Sequence, residues 1–287
     1  MSIEFPYPLA PEIARNVDDA LAEDVGAGDL TAELVPYGRR VRATVISREA
    51  GVLCGTAWFE LCILKLDPQA EVRWGADDGD RIVPNQVLCE IVSNARALLT
   101  AERSALNFLQ LLSGVASKAR TYADAIAGTK AQVMDTRKTL PGLRIAQKYA
   151  VHCGGGGNHR LALWDAILIK ENHIIAAGGI AEALEEARQV ADRAGDRCKF
   201  IQIEVESLAE LQTALAAGAT MVLLDNFNLD MMREAATLNA GRAILEASGN
   251  VTLETIRPIA ETGVDRISVG SLTKDVKAMD LSMRFVE

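Results

Sequence analysis

The segment FIQIEVESLAELQTALAAGATMVLLD, residues 200–225, decides the fold class. It opens with the apolar run 200–205, continues through a helical pattern at 207–217, and ends in a second apolar run at 221–224. Short apolar runs that alternate with amphipathic helices are typical of buried parallel strands joined by crossover helices. The segment therefore predicts one strand–helix–strand unit of a parallel α/β sheet.

The same alternation extends on both sides of this unit, from Gly128 to the end of the chain. It predicts further strands at 131–134, 166–169, 243–247 and 265–269, and further helices at 142–152, 179–193, 228–240 and 252–262. Because no dinucleotide-binding glycine fingerprint follows any of the six strands, the pattern favours an incomplete parallel α/β barrel over a doubly wound sheet. Periodicity alone leaves the doubly wound sheet open.

The part before Gly128 has a different rhythm and predicts a compact α/β substructure. Helical patterns lie at 11–24, 56–66 and 97–127, and strand patterns at 41–48, 70–74 and 87–92. The helix at 97–127 is the longest of these and leads into the strand–helix alternation.

Composition limits the class of protein. A chain of 287 residues with a net charge of -9 is expected to be a globular enzyme and not a nucleic-acid-binding protein, since phosphate backbones require an extended basic surface. Its apolar runs are too short to span a membrane, and its N-terminus predicts no signal peptide. Five scattered cysteines predict neither a disulfide framework nor a zinc knuckle, so we expect a reduced, cytoplasmic protein.

Charged or phosphate-compatible residues follow nearly every predicted barrel strand. In chain order they are Asp135, Thr136, Arg137 and Lys138; Lys170, Glu171, Asn172 and His173; Glu204; Asp225 and Asn226; Glu246, Ser248, Gly249 and Asn250; and Gly270 and Ser271. Ligands of parallel α/β barrels bind at the carboxyl ends of the strands, on the loops that follow them. We therefore expect these residues to share one pocket.

The predicted pocket is divided by charge. Residues 137–170 contain six Lys or Arg and one carboxylate, within an acidic chain. Arginine matches carboxylates with two hydrogen bonds, and lysine supplies a compact charge. The cationic candidates are Arg137, Lys138, His159, Arg160 and Lys170. This half is suited to an organic acid.

The other half of the pocket is suited to a phosphorylated partner. Glu204 and Asp225 are carboxylates that face a polyphosphate productively only through a hard divalent ion such as Mg²⁺. Backbone N–H groups of Ser248, Gly249 and Asn250, and of Gly270 and Ser271, are candidates to hold a terminal phosphate.

Several residues are less informative by themselves. The glycine run 154–157 lacks the GK[ST] ending of a nucleotide-binding P-loop. Arg103, on a helix outside the barrel, is expected to be a surface charge, and Lys148 is expected to be a solvated helix residue. The pattern does not decide between structural and functional roles for His152 and His173.

Taken together, these strand ends resemble the quinolinate phosphoribosyltransferase family. The matching segments are TAERSALNFLQLLSGVAS, DTRKTLPGLR, NHR, LIKENHI, IEVES, LLDNF, SGN and ISVGSLTK, spread over residues 100–274, and REAGVLCG and DDGD extend the similarity toward the N-terminus. The resemblance covers most of the chain and depends on no single motif.

The resemblance implies a fold of two parts. Residues 1–115, joined by 275–287, would form an N-terminal α/β sandwich, and residues 116–274 a barrel of six or seven strands. It also implies a homodimer in which Arg103 enters the partner's active site and binds quinolinate, which replaces the surface role expected from its own context.

The implied reaction joins quinolinate to 5-phosphoribosyl 1-diphosphate with loss of CO₂, giving nicotinate mononucleotide and diphosphate. The resemblance implies quinolinate binding by Arg103, Thr136, Arg137, His159, Arg160 and Lys170. It implies catalytic roles for Lys138, Glu204 and Asp225, the two acids also serving Mg²⁺, and 5′-phosphate binding by Ser248, Gly249, Asn250, Gly270 and Ser271.

Three other hypotheses remain at the level of sequence. A related transferase acting on nicotinate would not decarboxylate and would need fewer cations than this cluster supplies. A Schiff-base lyase would use Lys138 or Lys170 and would require a lysine in an apolar setting. A non-catalytic anion-binding barrel would have no use for the Glu204 and Asp225 pair.

Overall fold

A computed structural model describes residue 5 and residues 7–286 of the chain. The chain divides into two compact units. The first comprises the described residues of Met1–Arg120, Thr139–Gly155 and Leu272–Glu287, and the second comprises Thr121–Lys138 and Gly156–Ser271.

The first unit is built on a four-stranded antiparallel sheet. Its elements are α1 (Ala10–Val25), a 3₁₀ turn (Ala32–Leu34), β1 (Arg40–Ser47), β2 (Gly51–Val52), α2 (Thr56–Leu66), β3 (Glu71–Trp74), β4 (Arg81–Ile82), β5 (Val87–Asn94), α3 (Ala95–Ala125), α4 (Arg144–Cys153) and β12 (Leu281–Val286), where β12 is numbered by its place in the chain. The sheet order is β12-β1-β5-β3, and β2 pairs separately with β4. The C-terminal strand therefore completes the sheet of the N-terminal part.

Apolar burial holds this unit together. Alternate residues of β1 and β5 are buried, as the period of two requires for a sheet with one covered face. Helix α2 is buried at Trp58, Phe59 and Ile63. Trp58 Nε1 donates to Asn16 Oδ1 of α1 at 3.0 Å, which satisfies the indole N–H inside the core.

The second unit is a six-stranded parallel sheet covered by helices. Its elements are β6 (Gln132–Met134), β7 (Ile167–Ile169), α5 (Glu171–Ala177), α6 (Ile180–Ala194), a 3₁₀ turn (Gly195–Arg197), β8 (Ile201–Val205), α7 (Leu208–Ala216), β9 (Met221–Asp225), α8 (Leu229–Asn239), β10 (Ile244–Ser248), α9 (Leu253–Ala260) and β11 (Arg266–Ser268), with α10 (Ser271–Lys274) beginning at its last residue. The strand order is β6-β11-β10-β9-β8-β7. This is the predicted incomplete barrel, and the fold class is confirmed.

The sheet curls around a polar interior. Side chains of His159, which follows the β6 side of the sheet, Gln202 of β8 and Glu246 of β10 meet by hydrogen bonds. In the strand order β9 separates β8 from β10, so these contacts cross the concave side of the sheet. Side chains of several strands therefore converge on one interior.

The six predicted barrel strands and the helices that connect them are confirmed. Local chemistry explains where the helices begin: Ser207 caps α7 by accepting from the Glu210 backbone N–H at 3.2 Å, and Asn228 caps α8 in the same way. The sequence did not predict α5, which begins at Glu171 directly after β7.

The division into units differs in detail from the predicted boundary between residues 115 and 116. That boundary falls within α3, a continuous helix, and residues 139–155 group with the first unit and not with the barrel. The prediction that Lys148 of α4 is solvated is wrong. Lys148 is fully buried because α4 is covered along nearly its whole length.

In the part of the chain that the structure describes, the helices all lack the length and apolar character needed to cross a membrane. The expectation about a signal peptide falls partly on residues 1–4 and 6, which lie outside the described residues.

Helix α3 tests the packing of the first unit. Gly114 is buried in α3, and a Cβ atom there would overlap the backbone carbonyl of Lys277. Although alanine favours helix over glycine, we expect Gly114→Ala to lower the free energy of unfolding by about 1–3 kcal/mol, because the added methyl group overpacks a backbone contact.

Chemical denaturation measures this effect. Asn107→Ala is the matched control, since Asn107 is exposed on the same helix. It should leave the free energy of unfolding unchanged or slightly higher. Equal or greater stability of Gly114→Ala would contradict the close approach of Lys277 to α3.

Candidate active site

A cavity of about 360 Å³ lies within the second unit at the carboxyl ends of the strands. The parallel register explains why distant residues meet there: Ser248 pairs with Asp225, and Glu204 with Leu223, so the ends of β8, β9 and β10 are level. The cavity is lined by Thr136, Arg137, Lys138, His159, Arg160, Leu168, Lys170, Glu204, Leu223, Glu246, Ser248 and Ser268.

The structure thus brings together most of the site residues that the sequence predicts. Asp225 does not line the cavity but ends β9 beside Ser248. Gly249, Asn250, Gly270 and Ser271 lie on the loops after β10 and β11 and are likewise outside the lining set. Arg103 belongs to the first unit and is exposed on α3.

Two arginines form the cationic wall of the cavity. Arg160 is largely buried, and its Nη1 donates to the Ala166 carbonyl at 3.1 Å. Burial, followed by repulsion from Arg137, lowers the pKa of the Arg160 guanidinium. Because arginine keeps its charge in proteins, this cost persists until an anion enters. The wall is therefore arranged to bind an acidic ligand.

The opposite wall carries carboxylates and one shared lysine. Lys170 Nζ lies 2.6 Å from Glu204 Oε2, an ion pair in which Glu204 is mostly buried and Lys170 is half exposed. Burial, and then the charge of Glu204, raises the pKa of Asp225, while Lys170 and Lys138 lower it. Glu204 and Asp225 are therefore close enough to interact electrostatically.

A hydrogen-bonded network lies beneath the cationic wall. His159 Nε2 and Gln202 Oε1 are 2.7 Å apart, and Gln202 Nε2 donates to Glu246 Oε2 at 3.1 Å. Ser268 Oγ donates to Glu246 Oε1. Glu246 and Gln202 are fully buried, so these bonds satisfy groups that have no access to water.

Sequence analysis assigned no role to Gln202, and it placed Glu246 at a strand end without a function. One feature could have identified Gln202: it precedes Glu204 by two residues on β8, so the period of two places both on the same face. A glutamine inside a buried parallel strand is unusual enough to indicate a polar interior.

Asp135 fixes the loop that carries His159. Its Oδ1 accepts from the His159 backbone N–H at 2.8 Å, and its Oδ2 accepts from Asn158 Nδ2 at 2.7 Å. Gly157 is part of the same anchor, because its N–H donates to the Val133 carbonyl at 2.7 Å. The glycine-rich run therefore ends in a loop tied to β6.

His173 has a structural role that the sequence left undecided. Its Nδ1 accepts from the Lys170 backbone N–H at 3.0 Å, which closes the first turn of α5. The start of this helix fixes the backbone of Lys170 at the rim of the cavity.

The loop after β10 has a backbone that only glycine can adopt easily. Gly249 has φ +113°, and a Cβ atom there would overlap the side-chain oxygen of Asn226. Asn226 and Asn250 also have positive φ values, of 56° and 45°. Such strained turns at a strand end are typical of loops that present backbone N–H groups to a ligand.

Comparison with protein families agrees with this geometry. Residues 29–113 match the model of the quinolinate phosphoribosyl transferase N-terminal domain, and residues 115–284 match that of the C-terminal domain. The two matches together cover nearly the whole chain.

Individual relatives are similar over the same length. A probable nicotinate-nucleotide pyrophosphorylase (carboxylating) of Bacillus subtilis is 40% identical over 272 residues, covering 95% of this chain and 93% of the relative. A mitochondrial quinolinate phosphoribosyltransferase (decarboxylating) of Nicotiana tabacum is 38% identical over 303 residues, covering 99% of this chain and 85% of the relative.

Solved structures extend the comparison to three dimensions. The nicotinate-nucleotide pyrophosphorylase of Francisella tularensis superposes with a TM-score of 0.93 at 43% identity, covering 99% of this chain and 98% of that one. The sequence, the domain models and the fold agree: the chain belongs to the quinolinate phosphoribosyltransferase family.

Proposed function

We propose that this protein transfers the phosphoribosyl group of 5-phosphoribosyl 1-diphosphate to quinolinate with decarboxylation, forming nicotinate mononucleotide, diphosphate and CO₂ in NAD biosynthesis. The observation that carries the proposal is one cavity with a wall of arginines and a facing pair of carboxylates. A pyridine dicarboxylate and a metal-bound diphosphate are the two partners such a cavity suits.

Arg137, Arg160 and Lys170 bind the two carboxylates of quinolinate. An incoming dianion relieves the repulsion between the two guanidinium groups and offers oxygens for paired hydrogen bonds. Thr136, at the cavity wall, and His159, beneath it, complete this side.

Glu204 and Asp225 fit a magnesium ion. The raised pKa of Asp225, caused by burial and then by Glu204, indicates that two acidic groups face one region where a cation lowers their energy. Two carboxylates, completed by water and diphosphate oxygens, are a common ligand set for Mg²⁺. When bound, Mg²⁺ would neutralise charge on the diphosphate leaving group.

The loops after β10 and β11 bind the 5′-phosphate. Ser248, Gly249 and Asn250 form a turn with positive φ angles at its last two positions. Gly270, followed by Ser271, lies beside Lys138: a Cβ atom at Gly270 would come within 3.1 Å of the Lys138 side chain. Lys138 therefore sits where a phosphoribosyl donor would need a positive charge.

The chemistry proceeds from positioning and electrostatics. The cationic wall orients quinolinate so that its ring nitrogen attacks the anomeric carbon as the bond to diphosphate breaks. Glu204 and Asp225 stabilise positive charge that develops on the ribose. The ring nitrogen then carries a positive charge, which accepts the electron pair of the C2–carboxylate bond as CO₂ leaves, and a proton replaces CO₂ at C2.

A Schiff-base lyase is disfavoured by the two lysines themselves. Lys170 is paired with Glu204 at 2.6 Å, which stabilises the ammonium form and not the neutral amine that a nucleophile requires. Lys138 is exposed and does not lie in an apolar pocket. A nicotinate-specific transferase would leave part of the cationic wall without a ligand group.

A homodimer in the cytoplasm is part of the proposal. Arg103 is exposed on α3, and as in the family we place it in the cavity of the partner subunit. All five cysteines are free thiols, in keeping with a reducing compartment.

The direct test is the reaction. With Mg²⁺, quinolinate and phosphoribosyl diphosphate, the purified protein should release CO₂ and form nicotinate mononucleotide, whereas nicotinate should give no product. Arg160→Gln should raise the KM for quinolinate about tenfold, because it removes one charged hydrogen-bonding partner. Arg233→Gln, on the exposed face of α8, is the control. Equal turnover of nicotinate would contradict the proposal.

The shared site is tested by mixing subunits. Arg103→Ala and Arg137→Ala should each be inactive alone and regain partial activity when exchanged into mixed dimers, because one of the two sites then has both arginines. Lys138→Ala mixed with Arg137→Ala is the matched control and should not recover, since both residues come from the same cavity. Absent recovery despite demonstrated exchange would contradict donation of Arg103 across the interface.

The electrostatics of Asp225 can be measured without substrates. Its carboxyl group should take up a proton at a higher pH than an ordinary aspartate. Glu204→Gln should lower the pKa of Asp225, because it removes a negative neighbour, and Lys170→Met should raise it, because it removes a positive one. Carboxyl ¹³C NMR titration reports both changes. Lys130→Met, which breaks a distant ion pair with Asp265, should have no effect.

A further inference from the structure

The loop from residue 158 to 161 is held by side chains and not by a strand ladder. Three successive backbone N–H groups donate to side chains: His159 to Asp135 at 2.8 Å, Arg160 to His159 Nδ1 at 2.8 Å, and Leu161 to Asp165 at 2.7 Å. The acceptors are all buried. The backbone that carries Arg160 is therefore fixed from beneath the cavity.

The ring of His159 uses both of its nitrogens in this arrangement. Because Nδ1 accepts the Arg160 N–H, it carries no proton, and the ring is neutral with its proton on Nε2. Nε2 then donates to Gln202 Oε1 at 2.7 Å. Neither nitrogen is left to bind a substrate carboxylate, although the ring lies at the cavity wall.

Gln202 and Glu246 determine this state of the ring. Gln202 Oε1 can face His159 only if its Nε2 faces an acceptor, which is Glu246 Oε2 at 3.1 Å. The second oxygen of Glu246 accepts from Ser268 Oγ. If Glu246 accepted no hydrogen bond, the Gln202 amide would be free to reverse and would then oppose the Nε2–H form of His159.

We infer that Glu246 and Gln202 are positioning residues for quinolinate binding. They act through His159, whose ring holds the Arg160 backbone and does not contact the substrate. The inference rests on the proposed function for its kinetic consequence, but the state of the His159 ring does not. Partners that orient a binding residue from behind commonly affect its function as much as direct contacts do.

The hydrogen bonds, and not the charge of Glu246, carry the effect. In Glu246→Gln the amide oxygen can still accept from Gln202, and the amide N–H can donate to Ser268, whose hydroxyl also accepts. Glu246→Met has a similar volume but accepts no such bond. The two variants therefore separate hydrogen bonding from packing.

The first measurement needs no substrate. The chain has three histidines, so long-range ¹H–¹⁵N NMR spectra can assign the ring of each. We expect His159 to be neutral with its proton on Nε2, and we expect Gln202→Met to abolish that preference. A ring protonated at Nδ1 in the wild type would overturn the inference, whatever the enzyme's activity.

The second measurement is kinetic. Gln202→Met and Glu246→Met should raise the KM for quinolinate about tenfold and leave the KM for the phosphoribosyl donor unchanged, while Glu246→Gln should stay close to wild type. Asn239→Leu is the control for general damage, because Asn239 is also buried and hydrogen-bonded to Ala243 at the other end of β10. It should lower thermal stability without changing the KM for quinolinate.

A double-mutant cycle decides whether His159 contacts the substrate. If His159 only links Gln202 to Arg160, then His159→Phe combined with Gln202→Met should be no worse than the poorer single variant. Additive losses, with His159→Phe much the more damaging, would overturn the inference. So would equal damage from Glu246→Gln and Glu246→Met. Should Glu246→Met fail to fold, the cycle and the NMR spectra of Gln202→Met decide alone. Failure of the proposed function would appear instead as no turnover by the wild type.

Discussion

Everything in the site depends on one constraint: parallel strands end at the same edge of their sheet. Arg137, Lys170, Glu204 and Asp225 are far apart along the chain, yet the register of six parallel strands brings them around one cavity. Groups of opposite sign would cancel if they were interspersed. Here they are separated into a cationic wall and an acidic wall, so each can bind a different part of the reacting pair.

The price of gathering like charges is visible in the ligand-free protein. Arg160 is buried near Arg137, and Asp225 is partly buried near Glu204, and in each case the pKa shifts toward the neutral form. Lys170 offsets part of this cost through its ion pair with Glu204. Ligands that bring the missing counter-charges are bound by a site already organised for them, which is the basis of electrostatic preorganisation.

Sequence predicted the six barrel strands and most of the cavity lining, because apolar periodicity and charged strand ends are local properties. It did not predict the network of His159, Gln202 and Glu246, since hydrogen bonds across the barrel interior depend on how the sheet curls. Lys148 was missed for a similar reason: burial of α4 depends on its neighbours in the fold and not on its own pattern. The domain bounds at residues 115 and 275 came from the family resemblance, and a continuous α3 gives the sequence no mark there.

The central claim is that the cationic wall recognises two carboxylates on one ring. Calorimetric titration of quinolinate and nicotinate into the wild-type protein, without the phosphoribosyl donor, tests it most directly. Quinolinate should bind at least about tenfold more tightly, since its second carboxylate adds a charged hydrogen-bonded contact, and Arg160→Gln should remove most of that preference. Equal affinities for the two acids, or a preference that survives Arg160→Gln, would contradict the account.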